Sequence, residues 1–270
     1  MKPLARLAAT LLSLLLLLSG AAGAAGTATA TLSNLQLGAL DLTPLDGHAA
    51  GFTVDTLSTS LGAYVFWPED GLSDELQPDP YRPGSVSVQY GPSGGTAATS
   101  GAPGNLSTSS SAHANLGDYG FTGGFADQLV WLTLRPHTVL TVGGHFDTFA
   151  ERTVEQGRDF DAYNEIVVQI ADENFNIVTS LWRTSNVFPG SDPSETLDED
   201  FTLAYANGSD SDLLVSLYLS AWSDVITLPA VPEPTVPAML CAGLLVIGMA
   251  ARGRRAGSGS APFDAAPVSA

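Results

Sequence analysis

Leu213-Leu214-Val215-Ser216-Leu217-Tyr218-Leu219-Ser220-Ala221 is the stretch on which the fold class turns. Leu213, Val215, Leu217, Leu219 and Ala221 place an apolar group at every second position, with Ser216, Ser220 and the Tyr218 hydroxyl on the opposite side. A period of two belongs to a strand buried on one face, whereas a helix would space its apolar groups three and four apart. The same alternation predicts strands at 129–134, 138–142, 166–170, 177–183 and 201–205. Arg135-Pro136-His137, Asp172-Glu173-Asn174, Phe188-Pro189-Gly190 and Asn207-Gly208-Ser209 supply the turns between them. Six such strands with no convincing amphipathic helix predict an all-β domain, an antiparallel β-sandwich or jelly roll.

Upstream, 51–54, 63–67 and 85–90 read as further strands of the same sandwich, separated by Pro/Asp-rich loops such as 67–83. Residues 91–114 are almost wholly Gly, Ser, Thr, Ala and Pro, with Leu106 the one large apolar group. So little burial does not offset the entropy of ordering a chain, so 91–114 is expected to be a flexible surface loop. The domain therefore spans 31–230.

Both ends of the chain have a different character. Lys2 and Arg6 precede an apolar run from Leu7 to Leu18, and small residues follow to Ala30. That order is a secretory signal peptide, 1–30, cut by signal peptidase after Ala28-Thr29-Ala30, with Ala22-Gly23-Ala24 as the alternative site. At the other end the apolar stretch 235–251 would rise about 25 Å as a helix, enough for a marginal transmembrane span. Arg252, Arg254 and Arg255 follow it directly and belong on the cytoplasmic side, which leaves 31–230 outside. Residues 256–270 are rich in Gly, Ser, Ala and Pro and read as a disordered tail.

The formal net charge is −18, and 26 of the 28 acids lie in 31–230 beside only five arginines, so the predicted exported part carries −21. Such a surface repels phosphate backbones and excludes nucleic acid as a partner. Cys241 is the only cysteine, so neither an internal disulfide nor a thiolate metal site can form.

Few residues carry catalytic chemistry. Gly91-Pro92-Ser93-Gly94-Gly95 fits the G-x-S-x-G pattern, but a nucleophile elbow needs a strand before it and a helix after it, and no helix is predicted there. His48, His113, His137 and His145 show no metal-ligand spacing, although His145 and Asp147 would share a strand face. Calcium is the candidate cation: Asp159, Asp161, Asn164 and Glu165, and Asp198 with Asp200, gather oxygen ligands but complete no EF-hand loop. Trp131, Trp182 and Trp222 fall in the register opposite to the apolar face, an arrangement suited to stacking against sugars. No catalytic residue and no other cofactor is expected.

Val231-Pro232-Glu233-Pro234, the glycine-containing apolar segment 235–251 and the Arg252, Arg254, Arg255 cluster together resemble the sorting signal of PEP-CTERM proteins, over residues 231–255. The resemblance implies recognition by a membrane-embedded exosortase, a transpeptidase-like enzyme that would cut near Pro232, Glu233 and Pro234. It also implies a cell envelope or exopolysaccharide matrix as the destination. The resulting expectation is an exported, non-enzymatic protein, tethered by its C-terminal helix until processed. A carbohydrate-binding or carbohydrate-cleaving protein on the same sandwich, stabilised by calcium, is the alternative.

Overall fold

A computed structural model describes residues 25–153 and 158–229. Residues 1–24, the PEP-CTERM-like segment 231–255 with its predicted span 235–251, and the tail 256–270 lie outside the described residues. Among the described residues no helix is long and apolar enough to cross a membrane.

Among the described residues twelve strands form two six-stranded antiparallel sheets packed into a β-sandwich. The strands are β1 (Ala25–Asp41), β2 (Phe52–Trp67), β3 (Asp70–Leu76), β4 (Gly84–Tyr90), β5 (Ser93–Thr99), β6 (Leu106–His113), β7 (Phe121–Leu134), β8 (Thr138–Arg152), β9 (Asp159–Asp172), β10 (Ile177–Val187), β11 (Ser194–Asn207) and β12 (Leu213–Leu228). One sheet runs β11-β8-β1-β6-β5-β4 and the other β10-β9-β12-β7-β2-β3. One short 3-10 helix, Ala114–Leu116, joins β6 to β7.

The alternating apolar positions do what their period requires. Val215, Leu217, Leu219, Ala221 and Val225 of β12 are sealed against the facing sheet, together with Leu32, Leu140, Phe146, Ile166 and Ile170. All six strands predicted from alternation are present, each as a segment of a longer strand. The four predicted turns fall at strand junctions, where His137 in the first and Gly190 in the third have positive φ.

Two expectations are corrected. Residues 91–114 are not a flexible loop: β5 and β6 occupy most of the segment and lie inside the first sheet, Ser93–Thr99 pairing with β4 and Leu106–His113 with β1. Small side chains are what let this part of the sandwich close. A Cβ on Gly95 would collide with the Gly123 carbonyl, and one on Gly124 with the Thr96 carbonyl, so the two sheets meet backbone to backbone. Order is maintained there by ladder hydrogen bonds and close contact rather than by bulky apolar groups. The loop between β5 and β6 is also pinned, because Gln128 of β7 accepts from the Gly104 N–H at 2.7 Å and donates to Thr99 and Ala102.

The second correction concerns the start of the domain. Ala28 and Ala30 are fully buried in β1, opposite Ser110 and Thr108 on β6 and Ala150 and Thr148 on β8. Cleavage after Ala30 would strip six residues from a central strand. β1 runs from Ala25, on the C-terminal side of the alternative site Ala22-Gly23-Ala24.

Candidate functional site

The outward face of the second sheet breaks the usual rule of polar groups outside. A three-residue pattern of aromatic, small residue and acid recurs on three adjacent strands: Tyr163-Asn164-Glu165 on β9, Trp222-Ser223-Asp224 on β12 and Phe125-Ala126-Asp127 on β7. In each, the middle residue is fully buried, which turns the aromatic ring and the carboxylate outward together. Antiparallel register then sets Glu165 and Phe125 opposite Trp222, and Tyr163 and Gly123 opposite Asp224. Trp182 on the edge strand β10 lies diagonal to Trp222, opposite Val167 and level with Ser220.

Each acid is held by a tyrosine. Tyr64 donates to Asp224 Oδ1 at 2.5 Å, Tyr163 to Glu165 Oε2 at 2.5 Å, and Tyr218 to Asp127 Oδ1 at 3.0 Å. Glycines make room for the rings. The Tyr64 hydroxyl and Asp224 lie over Gly123, and the Phe125 ring lies across Gly62, so a methyl group at either glycine would displace them. Phe125 packs on Trp222 with centroids 6.2 Å apart, while Trp182 stays 60% exposed and Trp222 39%. Trp131 shares this face but is half covered by Phe175, edge to face at 5.4 Å. Trp67 does not join them: it packs against the core and stacks on Tyr90 at 4.0 Å.

Partial burial tunes these groups. Burial pushes the Asp224 carboxyl up to about 6, against the lowering effect of its hydrogen bonds to Tyr64 and Trp222. Asp127 rises for the same reason, opposed by Ser220 and Tyr218, and Asp161 rises through burial alone. Burial and the neighbouring Asp127 charge push the Tyr218 phenol up to about 12, and Tyr64 and Tyr163 shift in the same direction. The tyrosines are therefore donors at any physiological pH. Beside Tyr218 and Asp127 lies a groove of about 290 Å³ that Ser58, Ser60, Gln77 and Leu129 also line.

The six calcium candidates do not converge. Asn164 points into the core, donating to the Phe149 carbonyl and Ser185 Oγ at 2.8 and 3.1 Å. Asp159 receives a 2.7 Å hydrogen bond from Arg152. Asp161 and Glu165 are four positions apart on an extended strand, about 13 Å at the backbone, too far to share one ion. Asp198 and Asp200 sit on β11 in the other sheet, on either side of His145 at 3.5 and 3.0 Å. Among the described residues no group of three or more His, Asp, Glu or Cys side chains is arranged to hold a metal.

Ser93 is also removed from catalysis. It is fully buried at the start of β5, donating to Asn115 Oδ1 at 2.7 Å and accepting from the His113 N–H at 3.0 Å, and no helix follows it. A second recess, about 400 Å³, lies among the loops at one end of the sandwich and holds His48, Arg135, His137, Asp46, Asp210 and Asp212. In it His137 Nε2 meets Asp210 at 2.9 Å, and the Thr43 hydroxyl and the His48 backbone N–H hold Asp46 below the usual carboxylate range.

No family model matches the chain, and no curated protein is similar to it.

Proposed function

We propose that the chain is an exported, non-enzymatic β-sandwich of the cell envelope or extracellular matrix, delivered by two removable addresses. The observation that supports this reading is where the folded domain starts and stops. β1 begins at Ala25, the residue after a small-x-small leader site, and β12 ends at Leu228, three residues before Val231-Pro232-Glu233-Pro234. Every described strand thus lies in the interval between the proposed leader and the PEP-CTERM-like segment. Its lack of any cysteine and its −21 charge suit an oxidising, cation-rich exterior.

In this reading signal peptidase cuts after Ala24, the segment 235–251 halts transfer with Arg252, Arg254 and Arg255 inside, and an exosortase-like transpeptidase acts at Pro232, Glu233 and Pro234. Replacing those three residues with alanine should leave a larger form in the membrane fraction of a host that carries the processing enzyme. Processing at an unchanged rate would overturn the sorting assignment.

A further inference from the structure

We propose that the outer face of the second sheet is a binding surface for a linear, amine-bearing polysaccharide. The choice of an envelope polysaccharide rests on the export reading; the surface itself rests on the geometry below.

The face offers rings and carboxylates in alternation. Trp222 and Phe125 stand directly opposite each other on β12 and β7, and Trp182 on β10 lies two positions along, level with Val167 and Ser220, so the three rings run diagonally over three strand spacings, about 14 Å across the sheet, the length of a short run of pyranose rings. The apolar face of a pyranose stacks on indole and phenyl rings, and rigid aromatics offer that contact at low entropy cost. Gly62 under Phe125 and Gly123 under the Tyr64–Asp224 pair keep this part of the sheet low, so a flat chain can lie across it. Val167, 6% exposed, stands between Trp182 and Ser220, while Glu165, Asp224 and Gly123 are the neighbours of Trp222 and Phe125.

Charge selects the class of sugar. Among the described residues none of Asp127, Asp161, Glu165 or Asp224 has an arginine or histidine within 4.0 Å, while Arg152, Arg158 and Arg183 are paired elsewhere. The tyrosine bonds occupy one oxygen of Asp127, Glu165 and Asp224 and supply no positive charge. Half-buried carboxylates without a counter-charge are stabilised by an incoming cation and repel an incoming acid. A polymer that places an ammonium group on successive sugars supplies that cation beside each aromatic contact, and the rings attract it in addition. An acidic polysaccharide meets four like charges on this face and −21 over the domain.

The test uses the full chain, purified in a detergent without sugar head groups and titrated at neutral pH by calorimetry and tryptophan fluorescence. The probes are a β-linked glucosamine hexamer with free amines, a glucose hexamer of the same linkage and a galacturonate hexamer. The expected order is glucosamine first, glucose weaker and galacturonate undetectable. Trp182→Ala and Trp222→Ala should each weaken the glucosamine hexamer by about tenfold. Glu165→Gln combined with Asp127→Asn should bring it down to the glucose value and leave glucose unchanged. Trp182 is an exposed edge-strand side chain, so its variant keeps the fold, and circular dichroism checks the others. Absence of glucosamine binding by folded wild type, binding unaffected by both tryptophan variants, or equal affinity for the glucosamine and glucose hexamers would each overturn the proposal. None of these results depends on how the chain is processed, so failure here leaves the export reading standing, and failed processing leaves this one.

Discussion

Asp224 is the acid that the structure holds well above the usual carboxylate range. Its carboxyl titrates at about 6 in the folded protein against 3.8 as an unperturbed group, so the folded state holds the proton more tightly. Stability from this group is therefore greatest at low pH and is lost as pH rises through the window between roughly 4 and 6. Asp127 and Asp161 are raised as well and act with the same sign. Asp224→Asn keeps an oxygen for the Tyr64 hydroxyl and removes the charge. Thermal melts should show this variant more stable than wild type at pH 8, by up to about 2 kcal/mol, with the difference vanishing near pH 4. A constant offset at every pH would show that Asp224 does not titrate as described. None of this tuning is visible in the chain read residue by residue, because it depends on Tyr64 arriving from β2, 160 positions away. The aromatic, small, acid pattern on three strands was nevertheless legible, and reading it together with the tryptophan register would have located the face.

At the level of strands, apolar alternation located β12 and segments of β7, β8, β9 and β11 because their inward positions carry Leu, Val, Ile or Phe, and a segment of β10 although Ile177, Val178 and Trp182 there are exposed. It failed wherever inward positions are small or polar. Thr122 and Gly124 of β7 face the core while Phe121 and Phe125 face outward, so the hydrophobic code runs backwards there. The same holds for β5 and β6, whose buried positions include Ser93, Gly95, Thr108 and Ser110. Composition pointed to disorder because it counts apolar area; the contact between Gly95 and Gly123 depends on the absence of side chains instead. Gly124→Ala should accordingly cost roughly 3 kcal/mol in denaturant melts, since backbone cannot move aside. Gly208→Ala, in an open turn with ordinary φ and nothing within 4 Å, should change stability by less than about 0.5 kcal/mol. Equal effects at the two positions would contradict the close approach of the sheets.

For the whole molecule, the sandwich is held between two segments of unlike chemistry, and the boundaries carry the functional reading. The leader-like segment, the apolar segment and the arginine cluster were legible as local composition; the position of the proposed cut was not, because Ala28-Thr29-Ala30 satisfies a peptidase as well as Ala22-Gly23-Ala24 does. Only the pairing of Ala28 and Ala30 with β6 and β8 separates the two sites. The −21 domain with no lysine sets the context for both proposals, as its surroundings must supply the cations it lacks. The most direct measurement is the intact mass of the protein recovered from the envelope or medium of its native host. An N-terminus at Ala25 and a C-terminus within or next to Pro232-Glu233-Pro234 is the predicted result; a chain still running from Met1 to Ala270 would contradict export and sorting together.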